Sequence, residues 1–294
     1  MPSHKLIEKK IDKLMTVSGY SVAGEETVVA VPELDVCFDI GKSPEQFIPI
    51  NNVLVSHGHI DHISGLAYHL SHRQFCGQKA GNVYAHPELI EPIGQILTAW
   101  GVLDGSPIKA NLIEVNAGSE FKIKPNIFAR VFQTFHNRTS LGYTIIERRK
   151  KLKPEFSGLS GKEIVKLKKE GTQIENIIEM PLVTYLGDTA ACDYSHLDFV
   201  KNSRVLITEC TFYMDDNSER AKAGKHTHVK QLQEMLELLN NEHIVITHIS
   251  QRTSIREAKA KLKKHLSEQI WNKLTVLMDL YPQNRAENGY RRKN

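Results

Sequence analysis

Cysteine is scarce in this chain, and the four present (Cys37, Cys76, Cys192 and Cys210) lie far apart with no Cys-x-x-Cys pair. That spacing argues against a disulfide framework and against a thiolate zinc site, and makes a reducing, cytoplasmic setting the default. Long apolar runs are missing too. No stretch of about 18 apolar residues occurs, so no membrane span is expected. The opening "MPSHKLIEKKIDKLM" lacks the apolar core of a signal peptide, and Glu8 and Asp12 argue against an organellar transit peptide. No linker divides the chain and no internal repeat is visible, so a single α/β domain over residues 1–294 is expected. With 40% apolar and 24% charged residues, the composition is that of a globular protein rather than a disordered one.

The modest net charge of +4 conceals an uneven distribution. Arg148, Arg149, Lys150, Lys151, Lys153, Lys162, Lys166, Lys168 and Lys169 face only Glu155, Glu163 and Glu170 in the same stretch, a net +6 that leaves −2 for the rest. A basic patch on an otherwise acidic body points to a polyanionic partner; the plainer reading is a solvated helix and loop.

Strand-like blocks alternate with helical periods in both halves. Leu6, Ile7, Ile11, Leu14 and Met15 are spaced for a short helix over 5–15. "YSVAGEETVVAVPELDVCFDIG" reads as successive strands, and "NNVLVSH" as a buried strand. Helices are expected over 63–71 and 87–100, the second with Leu89, Ile93, Leu97 and Trp100 on one face. "NLIEV", "EFKIK", "NIFARVFQTF" and "LGYTIIE" return to strands, followed by a basic insertion, 148–182, with a helical stretch near 162–169. Strands "LVTYLGD", "RVLITEC", "HIVITHIS" and "LTVLMDL" alternate with a capped helix in "THVKQLQEMLELLNN" and a basic helix over 254–267. The polar tail, 283–294, is expected to be loose. Helices on both outer sides of paired sheets would cover the apolar faces.

The chemistry is concentrated in "SHGHIDHISGL", where His57, His59, Asp61 and His62 fall within six positions. Imidazole and carboxylate together suit zinc and related divalent ions. A strand running into a tight turn can aim all four at one point, with Gly58 giving the backbone room. One metal takes about four ligands, so a second would need more. His136, Asp188 and His248 each end a strand, where a sheet edge can present them to a common cleft. The donors then total seven.

The pattern His-x-His-x-Asp-His … His … Asp … His resembles the metallo-β-lactamase superfamily. The resemblance implies an αββα sandwich with two metal ions, zinc with manganese as an alternative, on the sheet edges. It assigns His57, His59 and His136 to one ion, Asp61, His62 and His248 to the other, and Asp188 to both. Asp39 matches an aspartate that braces the histidine loop. "TFHNRTSLGYTI", "ITECTF", "KHTHV" and "HISQRTS" narrow the likeness to the tRNase Z family in its short, plant-like form, over roughly residues 18–280.

In that family a glutamate, here Glu209, pairs with a histidine, here His226; read without the family, Glu209 is a strand-end carboxylate and His226 a helix-entry residue. Thr227 or His228 would cap the following helix. Asp61 is a candidate proton acceptor, and Arg252 matches the family's arginine. Lys162, Lys166, Lys168 and Lys169 would grip RNA from a shortened arm, which has Gly-Leu-Ser-Gly (158–161) where longer arms carry Gly-Pro. The family's aromatic after that arginine is Thr253 here. The expected activity is zinc-dependent endonucleolytic removal of the 3′ trailer of precursor tRNA, leaving a 3′-hydroxyl on the tRNA and a 5′-phosphate on the trailer. The expected active form is a homodimer in which one subunit's arm serves the other's site. Two rivals keep the fold: a hydrolase of small phosphodiesters such as cyclic nucleotides, and a non-catalytic RNA-binding subunit, whose mark would be a broken ligand set.

Overall fold

Residues 7–11 and 15–280 are described by a computed structural model; the expected loose tail lies outside them. The first half builds β1 (Ile7–Lys10), β2 (Thr16–Ala23), β3 (Glu26–Val31), β4 (Val36–Phe38), β5 (Asn52–Leu54), α1 (Ile60–Ile63), α2 (Leu66–Phe75), β6 (Gly81–Ala85), α3 (Pro87–Asp104) and β7 (Ala110–Glu114). The second half builds β8 (Glu120–Lys124), β9 (Ile127–Phe135), β10 (Thr139–Leu152), α4 (Gly161–Lys169), β11 (Glu175–Tyr185), α5 (Asp198–Lys201), β12 (Val205–Glu209), α6 (Ser218–Gly224) and α7 (Val229–Glu237). It closes with β13 (His243–Thr247), β14 (Ile249–Ser250), α8 (Ile255–His265), α9 (Glu268–Asn272) and β15 (Leu274–Val276). No helix among the described residues is long and apolar enough to cross a membrane.

The first seven strands form one sheet in chain order, and β15-β13-β12-β11-β10-β9-β8 form the other. Each sheet has three antiparallel pairings followed by three parallel ones. Strand period two explains the layering. Val29 and Val31 join Val205, Ile207 and Val245 between the sheets. Their neighbours Val28 and Ala30 instead face Leu70, Ile93 and Leu97 of α2 and α3. Leu206 and Ile246 face Leu232, Leu236 and Leu262 of α7 and α8. The result is the expected four-layer αββα sandwich.

Two expectations change. The described part of 5–15 is a strand, not a helix: Ile7 pairs with Gly19 and Lys10 with Thr16, and Ile7 is buried while Glu8 points outward. The basic insertion is an extended hairpin as well as a helix. β10 and β11 run on through Arg148–Leu152 and Glu175–Glu179 before the chain turns into α4, which begins with a capping box of Ser160 and Glu163.

Candidate metal centre

The parallel strands β5, β11, β12 and β13 end at one edge of the sandwich, the place where open α/β sheets present ligand groups. β14 leaves the second sheet and pairs with Val22 and Ala23 of β2, stitching the two sheets together beside that edge. After β5 the chain makes a tight passage at Gly58, where a Cβ would meet Leu89 at 2.8 Å, and enters the single turn α1, which carries Asp61 and His62. His136 sits in the turn between β9 and β10. Asp188 follows Gly187, whose φ of 63° and contact with Ser56 explain a residue without a side chain there. His248 occupies the break between β13 and β14 with a φ of 58°, a left-handed conformation that is costly for histidine. The backbone N–H of His248 donates to Ser21 Oγ at 2.9 Å.

All seven expected donors come together: His57, His59, His136 and Asp188 form one group, Asp61, His62 and His248 another, and a third joins Asp188 and His248 to Glu209 and His226. In the first, His59 Nδ1 lies 2.9 Å from His57 Nε2 and 3.3 Å from His136 Nε2, and Asp188 Oδ2 lies 3.7 Å from His57 Nε2. In the second, His62 Nε2 lies 3.4 Å from His248 Nε2, with Asp61 Oδ2 3.7 and 3.5 Å from the two rings. Asp188 Oδ2 lies 3.4 Å from His62 and 3.2 Å from His248. Donors arranged tetrahedrally at zinc bond lengths stand about 3.3 Å apart, so both groups match a cation's first coordination sphere.

The outer ring nitrogens decide what the inner ones can do. Ser56 Oγ donates to Asp39 Oδ2, so it accepts from His57 Nδ1 at 2.9 Å. Asp39 Oδ2 accepts from His62 Nδ1 at 2.8 Å, and the Lys225 carbonyl from His136 Nδ1 at 3.3 Å. With those protons outside, His57 and His136 direct lone pairs toward the same point, while His62, which burial would lower but Asp188 and Asp39 raise well above the imidazole range, carries a second proton that a cation would displace. A shared cation relieves the lone-pair repulsion, and the donor set therefore fits divalent metal. Burial pushes His57 well below the ordinary imidazole range, with His62 adding to it, and takes His136 down to about 4; both favour the neutral ligand form. Burial alone would raise Asp61, but hydrogen bonding to His248, the nearby His62 and the Gly24 N–H at 2.8 Å bring it down to about 2. Burial also opposes charge on Asp188, and His248 and His62 overcome it, holding Asp188 well below the carboxylate range. Both aspartates thus stay anionic, as ligands must.

Asp39 is fully buried and, besides His62, accepts from Ser56 N, Ser56 Oγ and Tyr185 Oη, each at 2.7 Å. It braces the histidine loop as expected.

Glu209 and His226 form the expected pair, with His226 Nδ1 2.8 Å from Glu209 Oε1. Glu209 is fully buried and takes two further backbone donors, Thr189 N at 2.8 Å and Thr227 N at 3.2 Å. Burial would lower His226, but Glu209 raises it to about 9, so its ring carries a proton at neutral pH. His228, not Thr227, caps α7: its Nδ1 accepts from Lys230 N at 3.2 Å. Arg252 lines the cleft of 260 Å³ together with His59, Asp61, Asp188, Phe212, His226 and His248.

Lys162, Lys166, Lys168 and Lys169 all sit on α4, and none of them lines the cleft. Lys168 pairs with Glu175 at 2.7 Å and Lys166 with Glu170 at 3.9 Å. Lys162 and Lys169 make no ion pair among the described residues. Sequence reasoning missed Ser21, Gly24 and Ser56, whose polar groups carry no signature along the chain, and gave no role to Thr211 although it stands in "ITECTF".

Two facing mixed sheets, outer helices and a histidine–aspartate cluster at one edge define a metal-dependent hydrolase of the metallo-β-lactamase fold. A family profile described as beta-lactamase superfamily domain matches residues 34–158. The chain is 34% identical over 260 residues to tRNase Z TRZ1 of Arabidopsis thaliana, covering 85% of this chain and 92% of that protein. It is 33% identical over 261 residues to the chloroplastic tRNase Z TRZ2 of the same plant, covering 86% and 73%. The chain belongs to the tRNase Z family. Its fold is shared with the short form of human tRNase Z, with a TM-score of 0.55 at 16% identity over 80% of this chain and 91% of that one.

Proposed function

We propose that this chain is an endoribonuclease that removes the 3′ trailer from precursor tRNA, breaking the bond between phosphorus and the 3′-oxygen of the last tRNA nucleotide. The observation that carries the reading is the buried Glu209–His226 pair set against a seven-donor metal cluster. His57, His59 and His136 would hold one divalent ion and Asp61, His62 and His248 the other, with Asp188 common to both; the nitrogen-rich donor set favours zinc. Bound there, such ions supply Lewis-acid activation of water and charge neutralisation at the phosphate.

The chain's own groups do the rest. His226 is held through Nδ1 by Glu209, which leaves Nε2 as the group to protonate the departing ribose oxygen. Asp61 and Asp188 remain ionised and take up the positive charge of the site. Arg252 lines the same cleft and would meet a phosphate oxygen of the RNA.

The basic hairpin supports RNA over a small phosphodiester as substrate. β10 starts three residues after His136 and β11 ends three before Asp188, so the hairpin leaves from the site and points away from it. Its 14-residue strand carries the turn about 40 Å off at ordinary strand rise. Lysines that far away cannot touch the phosphate being cut, but they can hold another part of a large nucleic acid. A homodimer with the hairpin of one subunit serving the other fits the same distance. Four free cysteines fit a reducing compartment, the cytoplasm by default.

The deciding experiment is incubation of the zinc-loaded protein with a 3′-extended precursor tRNA and mapping of the cut. A single cut at the trailer junction that leaves a 3′-hydroxyl is expected. Hydrolysis of bis(p-nitrophenyl) phosphate without cleavage of the RNA would overturn the RNA reading.

A further inference from the structure

Thr211 lies two residues beyond Glu209, is 2% exposed, and has no part in the roles assigned so far. Its Oγ1 sits 2.5 Å from Glu209 Oε2 and 2.9 Å from His248 Nδ1. Its backbone N donates to the Thr227 carbonyl at 3.2 Å, and its carbonyl accepts from Ser250 N at 3.2 Å. One residue therefore touches the strand that carries the glutamate, the turn that carries His226 and the segment that carries His248.

The proton directions follow from the partners. Glu209 Oε1 faces Thr189 N and His226 Nδ1, and Oε2 faces Thr227 N and the Thr211 hydroxyl. Two of those neighbours are backbone N–H groups that can only donate, and a carboxylate can only accept. The short contact from Thr211 is a charge-assisted O–H···O⁻ bond, so the single hydroxyl proton points at Glu209. Thr211 Oγ1 then has only lone pairs to offer His248, whose Nδ1 must donate. In the neutral ring that a metal ligand must be, His248 then carries its one proton on Nδ1 and presents a bare Nε2 toward Asp61, Asp188 and His62. The same proton cannot satisfy both partners in any other order.

We propose that Thr211 is a positioning residue that ties the Glu209–His226 acid pair to the metal ligand His248, setting the ligand's tautomer with one lone pair and the carboxylate's orientation with its only proton. The inference rests on the proposed roles of His248 and His226. It makes the two halves of the machinery interdependent: what fixes the acid also presents the ligand.

Thr211→Val keeps the shape and removes the hydroxyl, and Thr211→Ser keeps the hydroxyl. Zinc affinity is read without substrate, by competition with a chromophoric chelator, and turnover on precursor tRNA is read separately as kcat and KM. Thr211→Val is expected to weaken zinc binding and to lower kcat, each by about tenfold or more, with KM changed less than about twofold, on the scale of losses at groups that orient metal ligands. Thr211→Ser is expected to recover most of both. On a His226→Ala background, Thr211→Val is expected to weaken zinc as before and to cost less in kcat than it does with His226 present.

Normal zinc affinity and kcat in Thr211→Val would overturn the link, as would failure of Thr211→Ser to recover, because packing of the methyl group would then be the cause. An undiminished kcat loss in the double variant would sever Thr211 from the acid pair. Should the wild-type protein bind no zinc, the site assignment falls first and the link with it.

Discussion

His226 lies almost flat against His248, with ring planes 21° apart and centroids 5.3 Å from each other. One imidazole turns its Nε2 to the carboxylates of the cluster, and the other turns its Nδ1 to Glu209. Stacking thus sets His226, the proposed proton donor, beside the proposed metal pocket. His226→Ala should leave zinc content nearly intact while slowing cleavage by at least about 10²-fold, the scale of positioned acid–base catalysis. Metal analysis alongside single-turnover rates checks it; an unchanged rate would remove His226 from the mechanism.

The proton on His226 has a pH signature. In the folded chain Glu209 raises the imidazole from 6.5 to about 9 against the pull of burial. The raised value adds stability that is fully present below 6.5 and is lost as pH rises through about 9. The metal-free protein should therefore lose stability along that alkaline limb. In the loaded enzyme the neighbouring cations pull the limb lower, and cleavage should decline where His226 deprotonates. Glu209→Gln should shift the decline further toward acid. A pH–rate profile that keeps its alkaline limb in Glu209→Gln would sever the pair.

Removal of a ligand should act on metal before it acts on rate. His59→Ala opens the first group, and Asp188→Ala opens both at once. Each should abolish turnover and lower bound zinc, with the larger zinc loss in Asp188→Ala. Full activity at normal zinc content in either variant would contradict the assignment.

The hairpin lysines divide into paired and free. Lys162 and Lys169 lack ion pairs among the described residues, whereas Lys168 is held by Glu175. Replacing Lys162 and Lys169 by alanine should raise KM for precursor tRNA and flatten its salt dependence, since each phosphate contact contributes to the slope. Hydrolysis of bis(p-nitrophenyl) phosphate should not change. Equal losses on both substrates would show that the hairpin supports the fold rather than the RNA.

Asp39→Asn tests the brace. Asp39 serves four donors from a fully buried position with a φ of 55°, and an amide cannot accept from all four. The expected loss is about 3 kcal/mol, on the scale of breaking a buried charged network, read from denaturant unfolding of the metal-free protein. Zinc affinity should fall too, because His62 loses the partner that fixes its tautomer. Wild-type stability would show that Asp39 is a passive turn residue.

The metal ligands could be read from the sequence because each is a rare donor at the end of an apolar strand, and those strand ends converge once the parallel pairings form. The hydroxyls that orient them could not be read. Thr211 meets His248 across 37 residues, and Ser21 meets the His248 backbone across 227. A serine or threonine bonds whichever segment folds beside it, so its partner leaves no periodic trace. The misread helix at the N-terminus has a related cause: apolar spacing suggested a 3.6-residue period, but β2 offered an edge and Ile7 took the strand alternative. "RRKKL" reads as the start of a basic insertion and not as strand because both its faces are polar. It is strand because Glu179 lies across from Arg148 and pairs with it at 2.6 Å. The repeated pairing order of the two sheets is likewise invisible in the residues, since different apolar side chains serve the same layer.

The long hairpin has a consequence for what the cleft accepts. Its basic tip and the edge with the donor cluster are joined by the paired strands β10 and β11, which carry one bulge at Ile145–Ile146, so their separation is built into the chain. A stiff, folded RNA that meets both ends has its cut placed by its own dimensions. A limp strand of the same bases meets one end at a time. In the proposed reading the hairpin would act as a ruler, selecting for the size of a folded body and leaving base order unread.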